Sequence, residues 1–103
     1  MLYKFKSKAT GDLIMLGVNG DRVLRLMGRE PAPRGIFEVA AMPGLIAALQ
    51  AAVAADEAAR RAAAAEGPTA SPGDAVALRQ RVWPLVEMLR RCHAAQEVIV
   101  WGA

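Results

Sequence analysis

Cys92 and His93 are the chain's only cysteine and only histidine, and they stand side by side. Nucleophilic or metal chemistry would start there. A metal site of three or four ligands would need carboxylates from elsewhere, and no Cys or His spacing motif exists to recruit them. As nucleophile and base the pair is poorly placed, because neighbours on a helix point about 100° apart while the base must lie within hydrogen-bond reach. Cys92 falls on an apolar stripe, so it reads as a buried structural cysteine beside an exposed histidine. Gly11, Gly17, Gly20 and Gly28 match neither of the phosphate-binding glycine spacings. Asp12 and Asp21, or Asp56 and Glu57, would suit acid–base work, yet helix ends and i, i+4 pairing account for them. No catalytic residue, metal or cofactor is expected.

Two surfaces remain. The first is Trp83 with Arg79, Glu87 and Arg90. On an unbroken helix the indole would sit about 100° from the apolar stripe, framed by arginines, a composition found at protein-contact hot spots. Pro84 follows it, removes one backbone hydrogen bond and disfavours helical geometry at Trp83. A break there would turn the indole into the core, and this is the expectation, since large aromatics usually bury. The second is a basic set, Lys4, Lys6, Lys8, Arg22, Arg25 and Arg29, a candidate contact for a polyanion. Residues 1–34 hold seven Lys or Arg against three acids, within a net charge of +3 for the whole chain. That is sparse beside a dedicated nucleic-acid binder. Tyr3 and Phe5 alternate with the lysines, which puts rings and charges on opposite faces of a strand and argues against a base-stacking platform.

The elements that position these residues follow from periodicity. Residues 2–8 alternate as a half-buried strand. Asn19-Gly20 is a hairpin signal, but Leu16, Gly20, Val23 and Met27 continue one helical stripe, and Gly28 stands where a C-cap would. A helix over 16–27 is preferred to the hairpin. Pro31 and Pro33 mark a loop, and Ile36, Phe37 and Val39 give a short strand near 35–40. Met42-Pro43 opens a helix whose stripe is Leu45, Ile46, Leu49, Ala52 and Val53. Residues 54–66 continue it in alanines, supported by Asp56–Arg60 and Glu57–Arg61 pairs at i, i+4, and project from the core or pack only through alanines. Residues 67–73 read as a flexible loop, with Gly67 as C-cap and Ser71-Pro72 with Asp74 opening the next helix. That third helix carries Leu78, Val82, Leu85, Leu89 and Cys92 on one face, and Val98 to Trp101 form a closing strand. The expected fold is α+β: one domain over 1–103, with a small three-stranded sheet covered by helices in the order strand-helix-strand-helix-helix-strand.

At 103 residues and 54% hydrophobic composition one core is expected. A single cysteine suits a reducing compartment. Charges interrupt every long apolar run, so neither a secretory signal nor a membrane span is expected, and a cytoplasmic location is.

The chain resembles a family of short bacterial proteins catalogued as domain of unknown function 1840. The resemblance lies in Met1-Leu2-Tyr3-Lys4-Phe5-Lys6-Ser7 with Ala9, in Asp12 and Met15-Leu16-Gly17, and in Leu24 and Met27-Gly28. It continues in the Met42-Pro43 helix start and in Gln80-Arg81-Val82-Trp83-Pro84-Leu85. It covers nearly the whole chain, and it implies one domain without implying an activity, cofactor or catalytic residue. The functional expectation is a small non-catalytic module that binds another protein or itself. The alternatives are a weak nucleic-acid or polyanion binder acting through the basic N-terminal third, and an enzyme active only in assembly with a partner.

Overall fold

The computed structural model describes residues 2–65 and 78–102. Its elements are β1 (Leu2–Lys6), β2 (Leu13–Leu16), α1 (Gly17–Leu26), β3 (Gly35–Phe37), α2 (Met42–Ala65), α3 (Leu78–Ala95) and β4 (Ile99–Trp101), with a 3-10 turn at Val39–Ala41. The fold is α+β, as expected. The sheet has four antiparallel strands rather than three, in the order β2-β1-β4-β3.

The additional strand is β2. It pairs with β1 in the register Leu2↔Leu16, Tyr3↔Met15, Lys4↔Ile14, Phe5↔Leu13. Four consecutive apolar residues show no period-two alternation, so Leu13–Leu16 does not stand out as a strand. The chain does form an N-terminal hairpin, but its turn is the Ser7–Asp12 loop, and β1 ends at Lys6 instead of Lys8. Lys4 Nζ lies 3.5 Å from Asp12 Oδ2 across the hairpin's base.

Asn19-Gly20 lies inside α1, as the helical stripe predicts. Glycine is needed at 20 because a β-carbon there would stand 2.1 Å from the Tyr3 ring, which lies flat against the helix. Asn19 serves tertiary structure too: its Oδ1 accepts a 3.0 Å hydrogen bond from Arg81 Nη1 of α3. The helix closes at Gly28, whose φ of 79° sets the left-handed cap while Arg29 N donates to the Leu24 carbonyl at 2.8 Å.

Tyr3, Phe5, Met15, Phe37, Ile99 and Trp101 project from one face of the sheet into the core. There they meet Val23 and Leu24 of α1, Leu45, Leu49 and Val53 of α2, and the apolar face of α3. The rings interlock, with Phe37 and Trp101 centroids 4.7 Å apart and Phe5 5.7 Å from Phe37. The Tyr3 hydroxyl donates to Asp21 Oδ1, and Trp101 Nε1 donates to the Ala32 carbonyl at 3.0 Å. These bonds satisfy the polar ends of two buried aromatics.

The stretch Val39–Ala62 is long and apolar enough to cross a membrane by length and composition. Alanine supplies much of that apolar character, and its large side chains Leu45, Leu49 and Val53 are buried in the core. Beyond Val53 the side chains through Ala62 are mostly exposed, as the alanine run predicts. The loop expected at 67–73 and the caps at Gly67, Ser71, Pro72 and Asp74 lie outside the described residues.

Candidate functional site

α3 runs unbroken from Leu78 to Ala95 with Pro84 inside it. The proline break expected to turn Trp83 into the core does not occur. An interior proline costs about 3 kcal/mol. Leu85, Val86, Met88 and Leu89, all buried just beyond it, each gain about 1.5–3 kcal/mol from burial. The sum favours keeping the helix, so Trp83 stays at its helical angle and is 48% exposed. The predicted stripe of Leu78, Val82, Leu85, Leu89 and Cys92 is buried as a set, with Val86 and Met88 widening it.

Trp83 stands at the lip of a groove between α2 and α3, lined by Gln50, Val53 and Ala54 on one side and Val82 and Val86 on the other. Arg79 closes one end. Its Nη2 and Nε donate to Glu57 of α2 at 2.8 and 3.1 Å, a two-pronged bridge that ties the helices together. The hydrogen bond holds the Glu57 carboxyl below its ordinary range and raises the Arg79 guanidinium. Glu57 was expected to pair with Arg61 at i, i+4, but Arg79 takes its carboxylate, while the companion pair Asp56–Arg60 forms at 2.9 Å. Arg90 lies over the Trp83 ring, 5.7 Å from its centroid, and reaches Glu87 at 3.4 Å. Arg79, Trp83, Glu87 and Arg90, named from the sequence as a partner surface, thus stand together along exposed α3. The 54–66 segment, which the sequence offers as a second contact beside Trp83, reaches the groove through Ala54 and Glu57, whereas Gln50 and Val53 are not legible as part of a site because only packing brings them beside Trp83.

The groove encloses about 210 Å³. Sites for small molecules run from about 300 to 1,000 Å³. This one has the scale of a side-chain anchor.

The basic set is divided. Lys4 and Lys6 project from the sheet face opposite Tyr3 and Phe5, and Lys8 lies beside Lys6 in the loop that follows β1. Arg22 and Arg25 sit exposed on α1, which packs against the Tyr3 side. Arg29 lies 5.2 Å from the Phe37 ring centroid and donates to the Ile36 carbonyl at 2.9 Å. The six candidate polyanion contacts therefore form no single patch.

Cys92 is fully buried and free, as its place on the stripe predicts, whereas His93 next to it, expected to be exposed, is half-buried. Among the described residues no three His, Cys, Asp or Glu side chains gather as a metal site would require. Burial, followed by the hydrogen bond to Asp21, pushes the Tyr3 hydroxyl up to about 12. A phenol so shifted is a structural donor rather than an acid poised near neutrality.

The family described as domain of unknown function (DUF1840) matches residues 1–101, and the chain belongs to it. No curated protein and no solved structure matches the chain.

Proposed function

We propose that this member of the DUF1840 family is a non-catalytic module that binds a partner protein, taking one of the partner's apolar side chains into the α2–α3 groove against the indole of Trp83. The observation that carries the reading is the position of Trp83, 48% exposed at the mouth of an apolar groove. Exposed tryptophan beside arginine is the composition that dominates binding energy at protein interfaces. The surrounding charges, Arg79 with Glu57 and Arg90 with Glu87, form a rim of both signs. Such a rim favours a docked peptide with an apolar anchor over a polyanion.

Trp83→Ala tests this directly. The folded state should lose about 1 kcal/mol or less, because the indole is half in water. Capture of partner protein from native lysate, compared with the unaltered chain, should fall sharply. A loss of about 3–5 kcal/mol in urea unfolding would mean that the indole is a core residue after all. Undiminished capture would remove the groove from the interaction.

A further inference from the structure

The helices cover one face of the sheet, and the other carries an organised apolar surface. Alternation that buries Tyr3, Phe5 and Met15 directs Leu2, Lys4, Lys6, Ile14 and Leu16 the opposite way. On this outer face Leu2 and Leu16 are each 60% exposed, Ile14 57%, Ile36 38% and Val98 37%. Among the described residues, five of the seven exposed large hydrophobics therefore share one surface. A monomer scatters such residues singly, and gathering them marks an interaction site.

The pairing register fixes their arrangement. Lys4 stands beside Ile14, and Lys6 beside Val100, which neighbours Ile36. Lys4 and Lys6 thus run down β1 with an aliphatic track on either side, Ile14 and Leu16 on β2 and Val100 and Ile36 on β4 and β3. Lys6 and Lys8 flank an open hollow floored by Val98 and Val100. Acids near this face include Asp12, taken up by Lys4, Glu97 at the rim of that hollow, and Glu38, extended directly after β3 with the parity of Ile36.

We propose that this outer face binds an acidic amphipathic helix of a partner protein, whose apolar stripe lies on the two aliphatic tracks and whose carboxylates meet Lys6 and Lys8. The site is separate from the Trp83 groove. Size and charge select the occupant. Strands of three to five residues spaced about 4.8 Å apart give a face on the order of 15 × 15 Å. That is far below the roughly 800 Å² per partner of a stable protein interface, so the face is too small to hold two copies of this chain together. Face-to-face self-pairing would also bring the lysine line of one copy toward that of the other. A helix about 10 Å across with three turns on the sheet matches the footprint. It would turn the two-layer fold into a helix–sheet–helix sandwich, the usual way a sheet buries both faces.

The probe is a synthetic helical peptide of about 16 residues with leucines along one face and glutamates flanking them. Its control keeps the leucines and replaces every glutamate by lysine. With the full chain, fluorescence anisotropy at low salt should show the acidic peptide binding at least about tenfold more tightly than the basic one, with the advantage shrinking as salt rises. Lys6→Glu should erase that preference, Leu16→Ser or Ile36→Ser should weaken binding of the acidic peptide by about tenfold, and Trp83→Ala should leave it unchanged. All these side chains are exposed, so each variant should keep the circular dichroism spectrum of the unaltered chain. Equal binding of both peptides would overturn the proposal, as would loss of binding in Trp83→Ala alone. So would a dimer in sedimentation that Leu16→Ser dissolves, or tighter binding to phosphatidylserine vesicles than to the acidic peptide.

Discussion

Replacing Gly20 by alanine sets two physical effects against each other, and the structure decides between them. Within a helix, alanine is better than glycine by about 1 kcal/mol, so on propensity alone the substitution should stabilise α1. The new methyl, however, would lie 2.1 Å from one Tyr3 ring carbon and 2.6 Å from another. Tyr3 cannot step aside freely, because its ring stacks on Phe5 at 5.9 Å and its hydroxyl is held by Asp21. Overpacking of this kind costs about 1–3 kcal/mol. Pulling the phenol from a charged acceptor adds about 1.5–3 kcal/mol. Gly20→Ala should therefore destabilise the fold by about 1.5–5 kcal/mol once the propensity gain is subtracted, read as a lower urea midpoint. The decisive measurement repeats the substitution in a Tyr3→Leu background, where the ring is gone. There Gly20→Ala should become neutral or stabilising by up to about 1 kcal/mol. A cost that persists without the ring would mean that Gly20 is required by its own backbone, as in a hairpin turn, and would refute the packing argument.

Leu89→Ala removes a fully buried side chain from the centre of the α3 stripe and should cost about 2–5 kcal/mol; an unchanged denaturation midpoint would contradict the packing of α3. Tyr3→Phe tests the alkaline limb. With the phenol raised to about 12 when folded and near 10 when unfolded, the unfolded state sheds its proton first, so this group's contribution is full below about pH 10 and lost as pH rises toward 12. Tyr3→Phe should flatten that decline, and an identical decline in both proteins would exclude Tyr3 as its source.

What could be read from the sequence was what local periodicity controls. The alternation in β1, the stripes of α2 and α3, and the apolar closing strand each declare their buried face without reference to anything distant. α1 forms across its Asn-Gly because Val23, Leu24 and Met27 bury one helical face, while Leu16, read from the sequence as part of that stripe, ends β2 and is 60% exposed. The reason for Gly20 is the Tyr3 ring, seventeen positions earlier as the sequence counts but directly against the helix. β2 was hidden because Leu13–Leu16 is apolar on both faces. The same fact makes the outer sheet surface apolar, so the missed strand and the missed candidate site have one cause.

Trp83 shows the limit from the other side. Its angle on α3 and its neighbours Arg79 and Arg90 are legible in the sequence, whereas the effect of Pro84 is not a property of Pro84 alone. A proline's cost is a local property, but whether a helix tolerates it depends on what the following turns bury. Here Leu85, Val86, Met88 and Leu89 are all below 5% exposed, and a break at 84 would have to lift them from the core. The core thus fixes the helix through its proline, and the helix in turn holds the indole in water. An exposed tryptophan at that angle is therefore not a residue the fold failed to bury, since burying it would cost more apolar contact beyond Pro84 than the indole could return.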